Sequence, residues 1–301
     1  MRLVFRALPF CFLPLLLGCP SVPPPASQVP TGQAAIDRIR ETQACGKGLQ
    51  GVAKIDHFGK AGRFRGKLLF FAAAPASLEM EAQSPFGINL ATLTSNGQRF
   101  AFLDLREKAF LVGPAAPCNI ARLTSVPIPG HAMVDLLRGL PPILKHDAST
   151  IEWDGHGYYL VRVPSSRGAV EELHLAPHPA DMGKPWKEQR LRLLDVRVMQ
   201  SEVELYHAEL DGHTAGKMAS ARPTDPETGE PGLGVSGPDC HADVPRSIHL
   251  QVPSSDADVI FTYDEAEWNP PLPPGVFDQQ RPAGMQELFV DCPADGAKPA
   301  Q

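Results

Sequence analysis

Residues 76–82 alternate without a break: Ala76, Leu78, Met80 and Ala82 are apolar, while Ser77, Glu79 and Glu81 are polar. A helix cannot use that pattern, because its side chains return to one face every three to four residues. A strand with one dry and one wet face requires it, so this part of the chain belongs to an antiparallel sheet. Segments of similar length flank it. Lys67–Phe71 precedes it, and Ile88–Leu93, Arg99–Leu105 and Lys108–Val112 follow, separated by the polar turns Ser95-Asn96-Gly97 and Asp104–Glu107. The expected product is a meander of short strands.

Helical patterns break the meander at two places. Thr31–Cys45 sets Ile36 and Ile39 on one face, with Gly46 as its stop. Further on, Cys118–Leu123 carries Ile120 and Leu123, and after Pro127-Ile128-Pro129 comes Met133, Leu136, Leu137 and Leu140 at i, i+3, i+4 and i+7. Gly139 and Pro141-Pro142 end that segment. Strand patterns then resume at 150–153, 158–163, 170–175, 190–199 and 202–210, and again at 247–252 and 259–263, with 286–290 as a last edge strand. Between Leu193 and Leu194 the apolar phase slips by one residue, which predicts a bulge. Residues 212–242 are rich in Gly, Pro, Asp, Thr and Ser and read as a long loop insertion. The fold class that follows is mainly β: an incomplete, curved antiparallel barrel with helices forming a lid over its concave face.

The N-terminus reads as a processing signal rather than structure. Two arginines precede the apolar stretch 7–17, which is well short of the roughly 20 residues of a membrane span. Leu16-Leu17-Gly18-Cys19 looks like a bacterial lipobox, with residues 1–18 removed and diacylglycerol and an acyl chain such as palmitate carried by Cys19. Pro20, where many inner-membrane-retained lipoproteins carry Asp, points to the periplasmic face of the outer membrane. Residues 19–30 read as a Pro/Ser tether, 31–292 as one domain and 293–301 as a disordered tail.

Four cysteines remain for an oxidising compartment: Cys45, Cys118, Cys240 and Cys292. Two disulfides are expected, with Cys45–Cys118 and Cys240–Cys292 favoured because each closes a loop within one half of the chain. The net charge of −6 and the lack of a basic cluster speak against nucleic acid. No catalytic signature is present. Gly232-Leu233-Gly234 has no phosphate-loop context, and Glu171-Glu172 and Asp264-Glu265 read as solvated strand ends. His174 and His178 are separated by Pro177 and do not share a helix face, so neither metal nor cofactor is expected beyond the lipid on Cys19.

Two segments carry a family resemblance. Ser84-Pro85-Phe86-Gly87 is similar to the Pro-Leu-Gly loop of LolB-type outer-membrane lipoprotein receptors, with Phe86 in place of Leu. Leu123–Pro129, followed by the helix ending Leu137-Arg138-Gly139-Leu140-Pro141, resembles the lid of that family. The likeness covers about 36–163 and implies a monomeric receptor that takes acylated lipoproteins from a soluble periplasmic LolA-like carrier and inserts them into the membrane. On that resemblance Pro85, Phe86 and Gly87 form a membrane-insertion loop. Leu78, Met80, Leu90, Leu93, Phe102, Phe110, Ile120, Met133, Leu136 and Leu137 would then line a lipid cavity and its lid. The alternatives from other classes are an assembly lipoprotein that uses the sheet as a docking surface and a carrier of another apolar ligand.

Overall fold

The computed structural model describes residues 21–59, 62–84 and 86–292. The signal segment, Cys19, Pro85 and the tail 293–301 lie outside the described residues.

Helix α1 (Gly32–Thr42) opens the domain, its first turn closed by Thr31 Oγ1 accepting from Ala34 N–H at 3.1 Å. Such a cap contributes about 1 kcal/mol. Six strands follow as a meander: β1 (Gly48–Gly59), β2 (Gly62–Ala73), β3 (Ser77–Gln83), β4 (Asn89–Asn96), β5 (Arg99–Asp104) and β6 (Ala109–Pro114). Each pairs antiparallel with the next. Helices α2 (Pro117–Thr124) and α3 (Gly130–Leu137) come next, followed by β7 (Thr150–Trp153), β8 (Tyr159–Pro164), β9 (Ala169–Pro177), β10 (Leu191–Gln200) and β11 (Val203–Asp211). Within 212–242 the short β12 (Thr214–Ala215) and β13 (Lys217–Met218) form, the latter parallel to β16, and β14 (Asp243–Val244) pairs with β12. The last elements are β15 (Ser247–Val252), β16 (Ala257–Trp268) and β17 (Glu287–Phe289), which adds to β6 in parallel.

The two halves form one curved sheet because β16 lies beside β1 along their whole length, from Leu49↔Trp268 to Phe58↔Asp258. Close approach is needed at Gly51, where a Cβ would stand 2.5 Å from the Phe70 ring. The expected bulge is present: the β9–β10 register slips between Leu193 and Asp195. Leu193 therefore faces inward and Asp195 outward.

Inward side chains of β1–β3, β8–β11, β15 and β16 pack on Ile36 and Ile39 of α1 and on Met133, Leu136 and Leu137 of α3. The helices thus sit on the concave face, as the patterning predicts, and their apolar side chains fill it.

Two expectations are corrected here. Cys45 bonds Cys240, and Cys118 bonds Cys292, so each disulfide joins the two halves of the chain rather than closing one half. The pairing of β16 with β1 is what brings 240 to 45. The tether also changes character, since from Val22 onward it lies on the domain. Val22 N–H donates to Gly155 O at 2.7 Å, Trp153 Nε1–H donates to Val22 O, Ser27 accepts from Trp186 N–H, and buried Val29 donates to Tyr159 Oη.

Candidate functional site

The register of the sheet gathers six turns at one end. They are the β1–β2, β3–β4, β5–β6, β8–β9, β10–β11 and β15–β16 connections. Water-exposed large apolar side chains collect at that same end: Phe58, Phe64, Phe86, Ile88, Leu105, Val170, Val203 and Leu205. Phe86 stands out at 89 % exposed and Ile88 at 61 %. The β3–β4 loop presents them through a small polar scaffold in which Ser84 Oγ accepts from the N–H groups of Phe86 and Ile88. Gly87 follows with φ +77°, a conformation that a side chain would strain. Exposed large apolar side chains gathered at one end in this way are costly in water unless they meet lipid or protein.

A cleft of about 220 Å³ opens beside the rim, between the strand ends and the C-terminus of α2. Ile55, Phe64, Ala82, Leu90, Ala91, Phe102 and Leu123 supply apolar wall, and His57, Asp104, Arg106, Arg122 and Ser125 supply polar and charged wall of similar extent. Behind it, Ile120 of α2 packs on Ala91, Leu93, Phe100 and Phe102.

The sequence-predicted lining residues divide as follows. Leu78, Met80, Leu93, Phe102, Ile120, Met133, Leu136 and Leu137 are all buried on the concave side, packed on one another and on the helices. Leu90 is half-buried in the cleft wall. Phe110 is elsewhere: it pairs with Leu103 and shares that residue's outward face with Ala101, Val112 and Met285. The turn between β5 and β6 sets this phase, and Leu111, opposite Phe102, is the neighbour that points inward. Among these rim residues the sequence singles out Phe86 but not Phe58, Phe64, Ile88, Leu105, Val170, Val203 or Leu205. Their common signal is an apolar residue within a few positions of a turn.

The helical cover is tied at particular points. Cys118 fastens the first turn of α2 to the C-terminal segment. At the far end of α3, Tyr263 Oη–H donates to Leu137 O at 2.8 Å, Gln43 donates to Gly139 O, and the buried Arg138 guanidinium reaches Gly46 O. The connection between α2 and α3 is held by local bonds, Val126 N–H to Thr124 Oγ1 and Ile128 N–H to Val126 O, and by the burial of Val126 and Ile128.

Glu171 departs from its expected place at a solvated strand end. It points inward and is fully buried. Its Oε2 accepts Leu144 N–H at 2.9 Å, while Oε1 has no partner among the described residues. Burial pushes its pKa up to about 8, only partly offset by the Leu144 bond and Arg40. Asp135 on α3 is raised to about 6, again chiefly by burial. The other pair behaves as a surface feature, with Asp264 bound to Lys54 at 2.8 Å. His174 stacks on Tyr158, and His178 caps a short turn by accepting from Ala180 N–H.

No family model matches the chain, and no curated protein matches it. Among solved structures it is similar to a LolA superfamily protein from Nitrosomonas europaea, at TM-score 0.46 and 10 % identity over 83 % of this chain and 98 % of that one. It is also similar to a DUF1329 family protein from Desulfovibrio piger, at TM-score 0.53 and 7 % identity over 84 % of this chain and 98 % of the other. The likeness to the DUF1329 protein is one of fold.

Proposed function

We propose that this chain is a lipid-anchored envelope protein of the LolB type, which shelters acyl chains beneath its helical cover and passes lipoproteins into the outer membrane. The observation that carries the reading is Phe86, an aromatic side chain held 89 % exposed on a structured loop near a cleft of mixed apolar and charged lining. A buried methylene is worth about 0.8 kcal/mol, so acyl chains leave a carrier only for another apolar site or a bilayer. The rim supplies a contact with the bilayer, and the cleft supplies a route under α2.

The concave face is filled when the cover is closed, so uptake requires the cover to move. Among the described residues, 123–129 has neither a disulfide nor a long-range hydrogen bond like those that hold the two far ends, so motion there is opposed by the burial of Val126 and Ile128 and by short local bonds. Leu123 in that stretch is already part of the cleft wall.

The test is reconstituted transfer. Acylated lipoprotein held by a periplasmic carrier is mixed with the full chain in liposomes, and cargo is followed from carrier to membrane. Transfer is expected with the native chain, whereas Phe86→Glu should still take cargo from the carrier and fail to release it. A native chain that leaves the cargo on the carrier overturns the reading. The filled concave face favours a second one, an assembly lipoprotein that docks other proteins on a permanently closed sheet; a chain that never extracts acyl chains would support it.

A further inference from the structure

We infer that the outer face of the second half-sheet holds a site for a divalent transition cation of the zinc class, built from Asp195, His207, Glu209 and His249. Each ligand type suits such an ion, imidazole nitrogen and carboxylate oxygen being its usual non-thiolate donors.

The sheet assembles the cluster through its register. Asp195 on β10 lies opposite Glu209 on β11, and Glu209 lies opposite His249 on β15, so the three form one row across adjacent strands. His207 stands two positions before Glu209 on the same face of β11. The slip between Leu193 and Asp195 turns Asp195 outward into this row; a regular β10 would place it on the other face.

Ligand atoms of Asp195, His207 and Glu209 all lie within 4.8 Å of one another. His207 Nε2 is 2.5 Å from Asp195 Oδ2, and His249 Nδ1 is 3.3 Å from Glu209 Oε2. Asp195, His207 and Glu209 form the compact part of the site, and His249, which is outside that 4.8 Å group, joins as a fourth ligand by a side-chain rotation about its contact with Glu209.

The surroundings of His249 point the same way. While Nδ1 faces Glu209, Nε2 lies 2.8 Å from Asp258 Oδ1, and Gln251 donates to Asp258 Oδ2 at 3.0 Å. A carboxylate on the far nitrogen, itself held by a hydrogen bond, fixes the ring and its tautomer in the way metal-bound histidines are fixed. The charges also call for a cation, since Asp195, Glu209 and Asp258 converge on two imidazoles. Arg197, paired across the ladder with His207, is engaged by Glu204 at 3.2 Å. His207 is buried, while Glu209 and His249 keep solvent access through which an ion could enter. The sequence hides this site because its residues come from separate strands with no ligand spacing.

The experiment titrates the full-length, metal-free chain with Co²⁺ and then Zn²⁺. One equivalent of cobalt should produce the visible bands of a four-coordinate ion, and one equivalent of zinc should remove them. Glu209→Gln and His249→Ala, both at partly exposed positions, should each weaken zinc binding at least tenfold while leaving the metal-free urea midpoint unchanged. Asp258→Asn should weaken it about 10- to 100-fold. Absence of a saturable one-equivalent site in the native chain overturns the inference, as does an affinity that survives both Glu209→Gln and His249→Ala.

Discussion

Replacing Phe86 with Ser isolates the contribution of the rim. In the folded protein the ring is 89 % exposed, so its loss should change stability by less than about 0.5 kcal/mol. In a bilayer the same ring would be removed from water, a transfer worth about 1.5–3 kcal/mol. That corresponds to a roughly 10- to 150-fold drop in partitioning, since about 1.4 kcal/mol is a factor of ten. The assay is flotation of the unlipidated domain, beginning at Ser21, with phospholipid vesicles, and urea unfolding serves as the control. Ile88 is 61 % exposed on the same loop and should add a smaller loss when it is also replaced. If Phe86→Ser floats with vesicles as well as the native domain does while remaining folded, the loop makes no membrane contact and the rim needs another explanation.

Three further outcomes are expected. Glu171 has a folded pKa near 8 against an ordinary 4.5, so its contribution to stability is fully present below about pH 4.5 and is lost as pH rises through 8. The loss amounts to about 4–5 kcal/mol at about 1.4 kcal/mol per unit. Glu171→Gln should flatten that decline in urea melts between pH 5 and pH 8.5, and parallel pH profiles for the two chains would contradict the burial argument. Tyr263→Phe leaves Leu137 O unpaired at the end of α3, which should cost about 1–3 kcal/mol and speed amide exchange in that helix; unchanged exchange would mean the bond does not hold the cover. Peptide mapping of the unreduced protein should recover Cys45 linked to Cys240 and Cys118 to Cys292, and a Cys45–Cys118 peptide would refute the joining of the halves.

The elements legible in sequence were those whose partners are local. Alternation at 77–82 marks β3, the polar turns mark its neighbours, and the phase slip at Leu193 marks a bulge that the register shows. What sequence hides is set at a distance. The disulfide pairing depends on β16 reaching β1, a contact across more than two hundred residues that no local pattern announces. Phe110 was assigned to the wrong face because the phase of β6 is decided by its hairpin with β5, not by its own residues. Glu171 reads as polar and therefore solvated, yet β9 alternates so that 171, 173 and 175 all turn inward. The rim was missed for a related reason: each exposed apolar residue is unremarkable alone, and only the alignment of six turns at one end makes them a surface.

The docked segment Val22–Val29 has a mechanical consequence. Its contacts with Trp153 and Gly155 lie at the β7–β8 turn, the pole of the sheet opposite the apolar rim. β1 and β16 are each twelve residues long, which separates the poles by about 40 Å. Three residues beyond Val22 extend about 10 Å at most. On the proposed function, with an acyl anchor at Cys19, that anchor and an upright Phe86 would not reach one bilayer while the segment stays docked. Peeling it as far as Pro30 frees about eleven residues, a leash of about 35–40 Å, which matches the height of the sheet. The hydrogen bonds given up, donated by Val22, Trp153, Trp186, Gln189 and Val29, resist that release by about 3–7 kcal/mol in all. On the proposed function, the docked leash would hold the rim away from the lipid, facing a carrier, and the released leash would let the same rim swing down to the lipid.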